Sequence, residues 1–323
     1  SPEQAIAAYR EFLAAAPNAA QRAEALRRLG DLAMDVTAEQ RAVTGSAPDY
    51  RAAITRYAEY LKAYPKDPGN HRVLYQLARA QEQGGDPDGA LKTLDRLVAE
   101  YPGAASLDEA QFRRGELLFT ARRHADAERA YAAVLKAEPA SLFQERALFM
   151  HGWSLFKQGR LDESLHSFFG VLERKLGAED AGSREALTRA DRELLEDTFR
   201  VTSLALQNLQ GAATIPTYVT TPRRLAFEPQ VYSHLGEMYL KQERVKDAAD
   251  SFAAFARVRP LHAQAPVFLS RVIEIHEKNG FATLALQSKK DYVARYGLDS
   301  EFRRAHPDVW QAAQPFVKTH LAE

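Results

Sequence analysis

Ser154 and Lys157 stand three residues apart, the spacing at which a lysine amine can take the proton of a serine nucleophile. The S-D-N and K-T-G elements that complete such a site are missing, and the pair falls inside a helical, core-forming stretch, so a catalytic role is not expected. The nine histidines are scattered. His151 and His166 can approach each other if both stretches are helical, yet no acidic cluster joins them into a metal site. Glu193, Glu196 and Asp197 recur at helical spacing and read as a solvated face. There is no H-E-x-x-H, no glycine-rich phosphate loop and no G-x-S-x-G elbow.

The chain of 323 residues has no cysteine, which excludes disulfides, thiolate ligands and a cysteine nucleophile, and fits either cytoplasm or periplasm. Its 43 basic and 43 acidic residues leave no surplus of positive charge for a phosphate backbone, so nucleic acid is not the expected partner. No apolar run approaches the ~20 residues of a membrane span. These residues imply a non-catalytic chain with no cofactor and no metal.

The informative pattern lies in the elements. Leu74, Leu77, Ala78, Ala90, Leu94, Leu97 and Pro102 overlay Gly115, Ala127, Tyr131, Val134 and Pro139. Both overlay Tyr232, Leu235, Gly236, Tyr239, Ala248, Phe252, Phe255 and Pro260. In each copy a small residue is followed by an alanine, a large apolar residue four on, and a proline that stops the helix. Steps of three and four put the apolar residues on one helical face. Gly236 marks the closest approach of a first helix to its second, with Ala248 as the matching small residue.

This pattern resembles the tetratricopeptide repeat, a helix–turn–helix unit of about 34 residues. The resemblance implies an all-α fold: a right-handed superhelix, or α-solenoid, of about seven repeats with one degenerate repeat and a C-terminal capping helix. Further copies are expected at 108–141, 145–178, 229–262 and 266–299. Capping boxes are expected at Ser106/Glu109 and Ser141/Gln144. Asp88, Asp126, Asp162 and Asp247 should sit in the first turns of second helices, where negative charge suits the helix dipole.

In this family the second, fifth, ninth and twelfth repeat positions usually face an inner groove. On this chain the resemblance gives Arg72, Tyr75, Arg79 and Glu82, then Glu109, Phe112, Glu116 and Phe119, then Arg146, Phe149, Trp153 and Phe156. Six aromatic residues rimmed by arginines would form a binding wall, because Leu74, Leu77, Leu118, Leu148 and Leu155 already fill the core positions. Alternatively, an insertion or the 176–191 segment folds over the wall and covers it. Arg72, Tyr75, Arg79, Phe112, Phe119, Arg146, Phe149, Trp153 and Phe156 are the expected partner-binding residues. In the later repeats Gln230, Ser233, Glu237, Leu240, Val267, Ser270, Glu274 and Glu277 should make a more polar, acidic wall. The lysines and asparagines of the chaperone-carboxylate clamp are absent from the matching positions.

The segments are read as follows: 1–19, the second helix of a truncated repeat (Ala5, Tyr9, Phe12, Pro17); 20–178, an array with an insertion near 35–49; 179–228, irregular; 229–299, a repeat pair; 300–323, a cap. In the insertion, either the first helix is lengthened or a loop protrudes. The stretch 176–191 is a linker or helix extension. Pro216 and Pro222 should keep 211–228 from forming one long helix, leaving a secondary contact candidate. A start in mid-repeat leads us to expect a longer protein with its targeting signal upstream.

The Tyr64-Pro65 and Tyr101-Pro102 repeat ends, with Phe112-Arg113-Arg114-Gly115 and 126–131, resemble bacterial cell-envelope repeat proteins of the outer-membrane assembly lipoprotein and Tol-Pal coordinator type. That resemblance implies a periplasmic or outer-membrane-associated scaffold for a protein or peptide partner, serving outer-membrane assembly, Tol-Pal or TonB-type complexes, or polysaccharide export. The alternatives are a cytoplasmic assembly adaptor, or the substrate-recruiting region of a larger enzyme.

Overall fold

The computed structural model describes residues 1–15, 19–44, 49–177 and 187–321, and every regular element among them is helical. The chain divides into two compact units, Ser1–Met150 and His151–Glu323. In the first, α1 (Pro2–Ala14), α2 (Ala19–Thr44), α3 (Arg51–Ala63), α4 (Asn70–Gln83), α5 (Pro87–Glu100), α6 (Leu107–Thr120) and α7 (His124–Leu135) each pack on the next, an α-solenoid order. The division falls within α8 (Gln144–Lys157). Leu74, Leu77, Leu94, Leu97, Tyr131 and Val134 are buried where their three- and four-residue spacing predicts. Leu148 is only partly buried, whereas Leu118 and Leu155 do sit in the core.

The closest contact between the helices of four pairs is a glycine under a ring. A Cβ on Gly115 would stand 2.7 Å from Tyr131, and one on Gly30 2.5 Å from Tyr57. In the second unit the same holds for Gly152 under Phe168 at 2.5 Å and Gly236 under Phe252 at 2.6 Å. All are far inside the ~3.5–4.0 Å of carbon–carbon contact. The neighbour of Gly236 is thus the Phe252 ring, one turn beyond the Ala248 that the sequence points to. Between the two helices of a pair the chain turns through a left-handed residue, at Gly85, Arg122 and Gly159 and, at the same interval, Glu243 and Gly280. Only a glycine adopts that conformation without steric cost.

The insertion after Ala33 lengthens the helix, since α2 runs to Thr44; residues 45–48 lie outside the described ones. Pro17 and residues 178–186 of the expected 176–191 linker also lie outside them. The expected capping box at Ser106/Glu109 does not form. Glu109 accepts the Tyr75 hydroxyl instead of bonding back to Ser106, and Ser141 donates to Asp108 while accepting from the Phe143 amide at 3.1 Å. Long-range partners outcompete the local ones there. Boxes occur instead at Ser1/Gln4 and Thr188/Asp191. Asp88, Asp126, Asp162 and Asp247 do occupy first turns.

The second unit contains α9 (Leu161–Leu176), α10 (Arg189–Gln207), a 3-10 turn (Gly211–Thr214), α11 (Ile215–Tyr218), α12 (Pro222–Leu225), α13 (Glu228–Lys241), α14 (Val245–Val258), α15 (Ala265–Lys278) and α16 (Ala282–Tyr296). It ends with α17 (Glu301–Ala305), α18 (Pro307–Ala312) and α19 (Gln314–His320). Pro216 and Pro222 each open a four-residue helix, so 211–228 is broken as expected. It is not an open contact loop. Ile215, Tyr218, Val219 and Phe227 are buried, the Tyr218 ring stacks on Phe169 at 5.4 Å, and its hydroxyl donates to Asp162 at 2.9 Å. Arg224 ties the strap to Glu173 at 2.9 Å. At the far end Trp310 donates to the Tyr296 carbonyl at 2.9 Å and Phe316 packs on Tyr292, which caps the last pair.

Gly115→Ala should lower stability by about 1–3 kcal/mol, because overpacking outweighs the gain in helix propensity. Arg122→Gly should raise it by about 0.5–1 kcal/mol by relieving the left-handed backbone. Urea unfolding of the two variants checks both signs. A pH effect follows from His234, which stacks on Phe199 at 4.2 Å and is held below the usual imidazole range by burial. The unfolded imidazole titrates near ~6.5, so this contribution is full above that pH and is lost as pH falls through the lowered folded value. His234→Phe should flatten the decline in urea midpoint below about pH 6.5 relative to the parent chain.

Candidate functional site

The residues expected on one wall fall into separate environments. Arg72, Tyr75 and Arg79 come together on one face of α4, where they line a cleft of about 560 Å³ with α2. Both arginines are exposed, and among the described residues neither forms an ion pair; Arg79 makes only a 3.5 Å contact with Gln76. Tyr75 is half-buried, with its hydroxyl donated to Glu109 of the next repeat. Burial first, and that bond second, push its phenol up to about 12, so it stays neutral near pH 7.

The opposite wall comes from α2, with Arg27, Asp31, Met34 and Asp35 lining the cleft. Tyr57, fully buried beneath, donates its hydroxyl to Asp31 at 2.8 Å, and Arg27 reaches the other Asp31 oxygen at 3.2 Å. Burial, then the Asp31 bond, pushes the Tyr57 phenol well above its ordinary range. One wall is therefore cationic and the other acidic, over a neutral aromatic floor. Asp31 and Asp35 are not among the residues expected from the repeat positions, which single out α4, α6 and α8 and leave α2 aside. Their signal was present: Arg27, Asp31 and Asp35 recur at four-residue steps, which places them on one helix face.

The remaining residues are elsewhere, and two are corrections. Phe112 is buried, stacked on Phe143 at 5.0 Å and edge-on to Tyr131 at 5.9 Å. Phe149 is also buried, at 8% exposure. Neither offers a ring to a partner; Phe143, ahead of α8, supplies the cover that the sequence did not reveal. Phe119 is half-buried against His124 at 5.0 Å, and Arg146 is exposed on α8. In the second unit Trp153 is half-buried, with Phe156 edge-on at 5.3 Å and the Lys157 ammonium 5.4 Å above its ring.

That placement also answers the S-x-x-K pair: Ser154 is fully buried, while Lys157 lies outside over Trp153. His151 bonds Ser167 at 2.9 Å and His166 packs on Tyr218. The later inner wall is less acidic in effect than in sequence. Glu237 is paired with Arg271 at 3.0 Å, and Glu277 with Lys289 at 2.7 Å and His320 at 2.8 Å.

Phe112→Ala should cost about 3–5 kcal/mol, as for any large buried ring. Trp153→Ala, starting half-exposed, should cost clearly less. Paired thermal and urea denaturation of the two variants checks the order.

Two adjacent stretches of the chain, 46–111 and 112–181, match tetratricopeptide repeat family profiles. No curated protein matches the chain. Among solved structures it is similar to the MamA protein, at 17% identity over 67% of this chain and 94% of that one, with a TM-score of 0.43. It is also similar to the apo form of RapI, at 12% identity over 95% of this chain and 93% of that one, TM-score 0.43. A tetratricopeptide repeat protein from Parabacteroides merdae ATCC 43184 shares 13% identity over 88% of this chain and 99% of that one, TM-score 0.41. With the profile matches laid over glycine-seated pairs such as Gly115 under Tyr131 and Gly152 under Phe168, residues 46–181 are identified as tetratricopeptide repeats.

Proposed function

We propose that the chain is a non-catalytic scaffold that holds an extended segment of a partner protein in the cleft between α2 and α4. The observation that carries this reading is the pair of exposed arginines, Arg72 and Arg79, which form no ion pair among the described residues and line the cleft with Asp31 and Asp35. Charges left unmatched within a protein cost little in water and become specific contacts when a complementary partner displaces that water. A segment with acidic residues toward α4 and a basic residue toward α2 fits both walls, with its backbone over Tyr75. Phe112 and Phe149 take no part, and no role is assigned to Trp153 in this cleft.

A bacterial envelope setting, in outer-membrane assembly, a Tol-Pal or TonB-type complex or polysaccharide export, is part of the same proposal. Its support is the likeness of the repeat ends at Tyr64-Pro65 and Tyr101-Pro102 to envelope repeat proteins. Fractionation of the protein expressed from its own gene tests the setting: recovery in the periplasm or with the outer membrane supports it, and recovery in the cytosol rejects it.

The cleft itself is tested by Arg72→Gln combined with Arg79→Gln. Both side chains are exposed and form no ion pair among the described residues, so the melting temperature should stay within about 1–2 °C of the parent, as for ordinary surface changes. Affinity for the co-purifying partner should fall tenfold or more, and more steeply at low salt. Undiminished affinity would reject the cleft.

A further inference from the structure

The broken repeat leaves a second cleft in the second unit, independent of the one between α2 and α4. In the regular pairs the second helix packs on the first helix of the next repeat, as α3 does on α4 and α5 on α6. Here that helix is replaced by short pieces, α11 and α12 fold onto α9, and α10 packs on α13 directly. A cavity of about 620 Å³ remains, walled by the Gly211–Thr214 turn, α13 and α14.

Tyr232 lines this cavity. Its ring is fully buried against Phe255 at 5.5 Å, and its buried hydroxyl has no hydrogen-bond partner among the described residues. A buried hydroxyl without a partner is costly and invites one. Neighbours on α14 do not supply it. Ser251 donates to the Asp247 carbonyl at 2.7 Å, and Arg244 is held by Asp247 at 2.8 Å while covering Tyr239. Arg257, on the same face, forms no ion pair among the described residues and lines the same cavity; burial first, then the Glu228 carboxylate, push the Tyr232 phenol up, with Arg259 and Arg257 opposing them. Beside it Val258 is 39% exposed.

We infer that this cavity is a binding site for an acidic side chain of a partner protein. The carboxylate accepts the Tyr232 hydroxyl and pairs with Arg257, a charge-assisted arrangement that an amide cannot match. The methylenes of that side chain lie over Ala254 and Val258. Asp250, on the exposed rim, opposes a lone anion and so favours a segment in which a basic residue follows the acidic one.

The test uses the full chain with tyrosines labelled at the ε carbons, the Tyr232 signal being assigned by its loss in Tyr232→Phe. The probe is a Glu-Lys dipeptide capped at both ends, compared with its Gln-Lys counterpart. The Tyr232 signal should shift saturably with Glu-Lys and respond at least tenfold more weakly to Gln-Lys. Arg257→Gln should abolish the difference, with the Tyr218 and Tyr292 signals of the same unit unmoved as a report that the fold is intact. No Tyr232 response to Glu-Lys, an equal response to both probes, or an undiminished preference in Arg257→Gln would overturn the proposal.

Discussion

A ring on one helix resting on the bare backbone of its neighbour is the contact on which the rest of this structure depends. Four pairs use it: Gly30 with Tyr57, Gly115 with Tyr131, Gly152 with Phe168 and Gly236 with Phe252. In the α4–α5 copy Leu94 stands in place of the ring and Ala78 in place of the glycine, both buried. Small and large residues change together, which is how a close-packed interior keeps its volume. The pairing fixes which face of each first helix turns inward, and thereby which residues remain for other work.

What remains is mostly polar and local. Because Tyr57 spans the pair beneath the first cleft, its hydroxyl fixes Asp31, and Asp31 in turn holds Arg27. On the facing helix Tyr75 is tied to Glu109 in the next repeat, so the cleft floor is set by contacts that run between repeats. Arg72 and Arg79 are outside those networks and keep their charge for solvent or a partner. In the second unit the same logic runs in reverse. Two prolines remove a helix, the strap finds its own partners on α9, and the Tyr232 hydroxyl beside the remaining cavity has no partner among the described residues.

The repeat spacing made the fold legible, since glycine, alanine, ring and proline at fixed intervals have a direct packing meaning. The break at 211–228 was legible for the same reason, as a helix can start at a proline but not run on through it. The wall was legible only in part. Arg72, Tyr75 and Arg79, picked out by repeat position, do line one cleft, but position numbers could not show that Phe143 folds over Phe112. They also treated Ser106/Glu109 and Ser141/Gln144 as local caps, although Tyr75 and Asp108 compete for the same groups from far along the chain. Tertiary competition of this kind leaves no mark at short spacing.

The coupling between positions 115 and 131 is the most direct measure of whether the glycine exists for the ring. A double-mutant cycle of Gly115→Ala and Tyr131→Leu, read by urea unfolding, rebuilds the Ala78/Leu94 arrangement in another repeat. The smaller leucine should make room for the alanine methyl, so the double variant should be more stable than the sum of the single changes by about 1–2 kcal/mol. Strict additivity would contradict that reading and leave the glycine to be explained by something other than the ring above it.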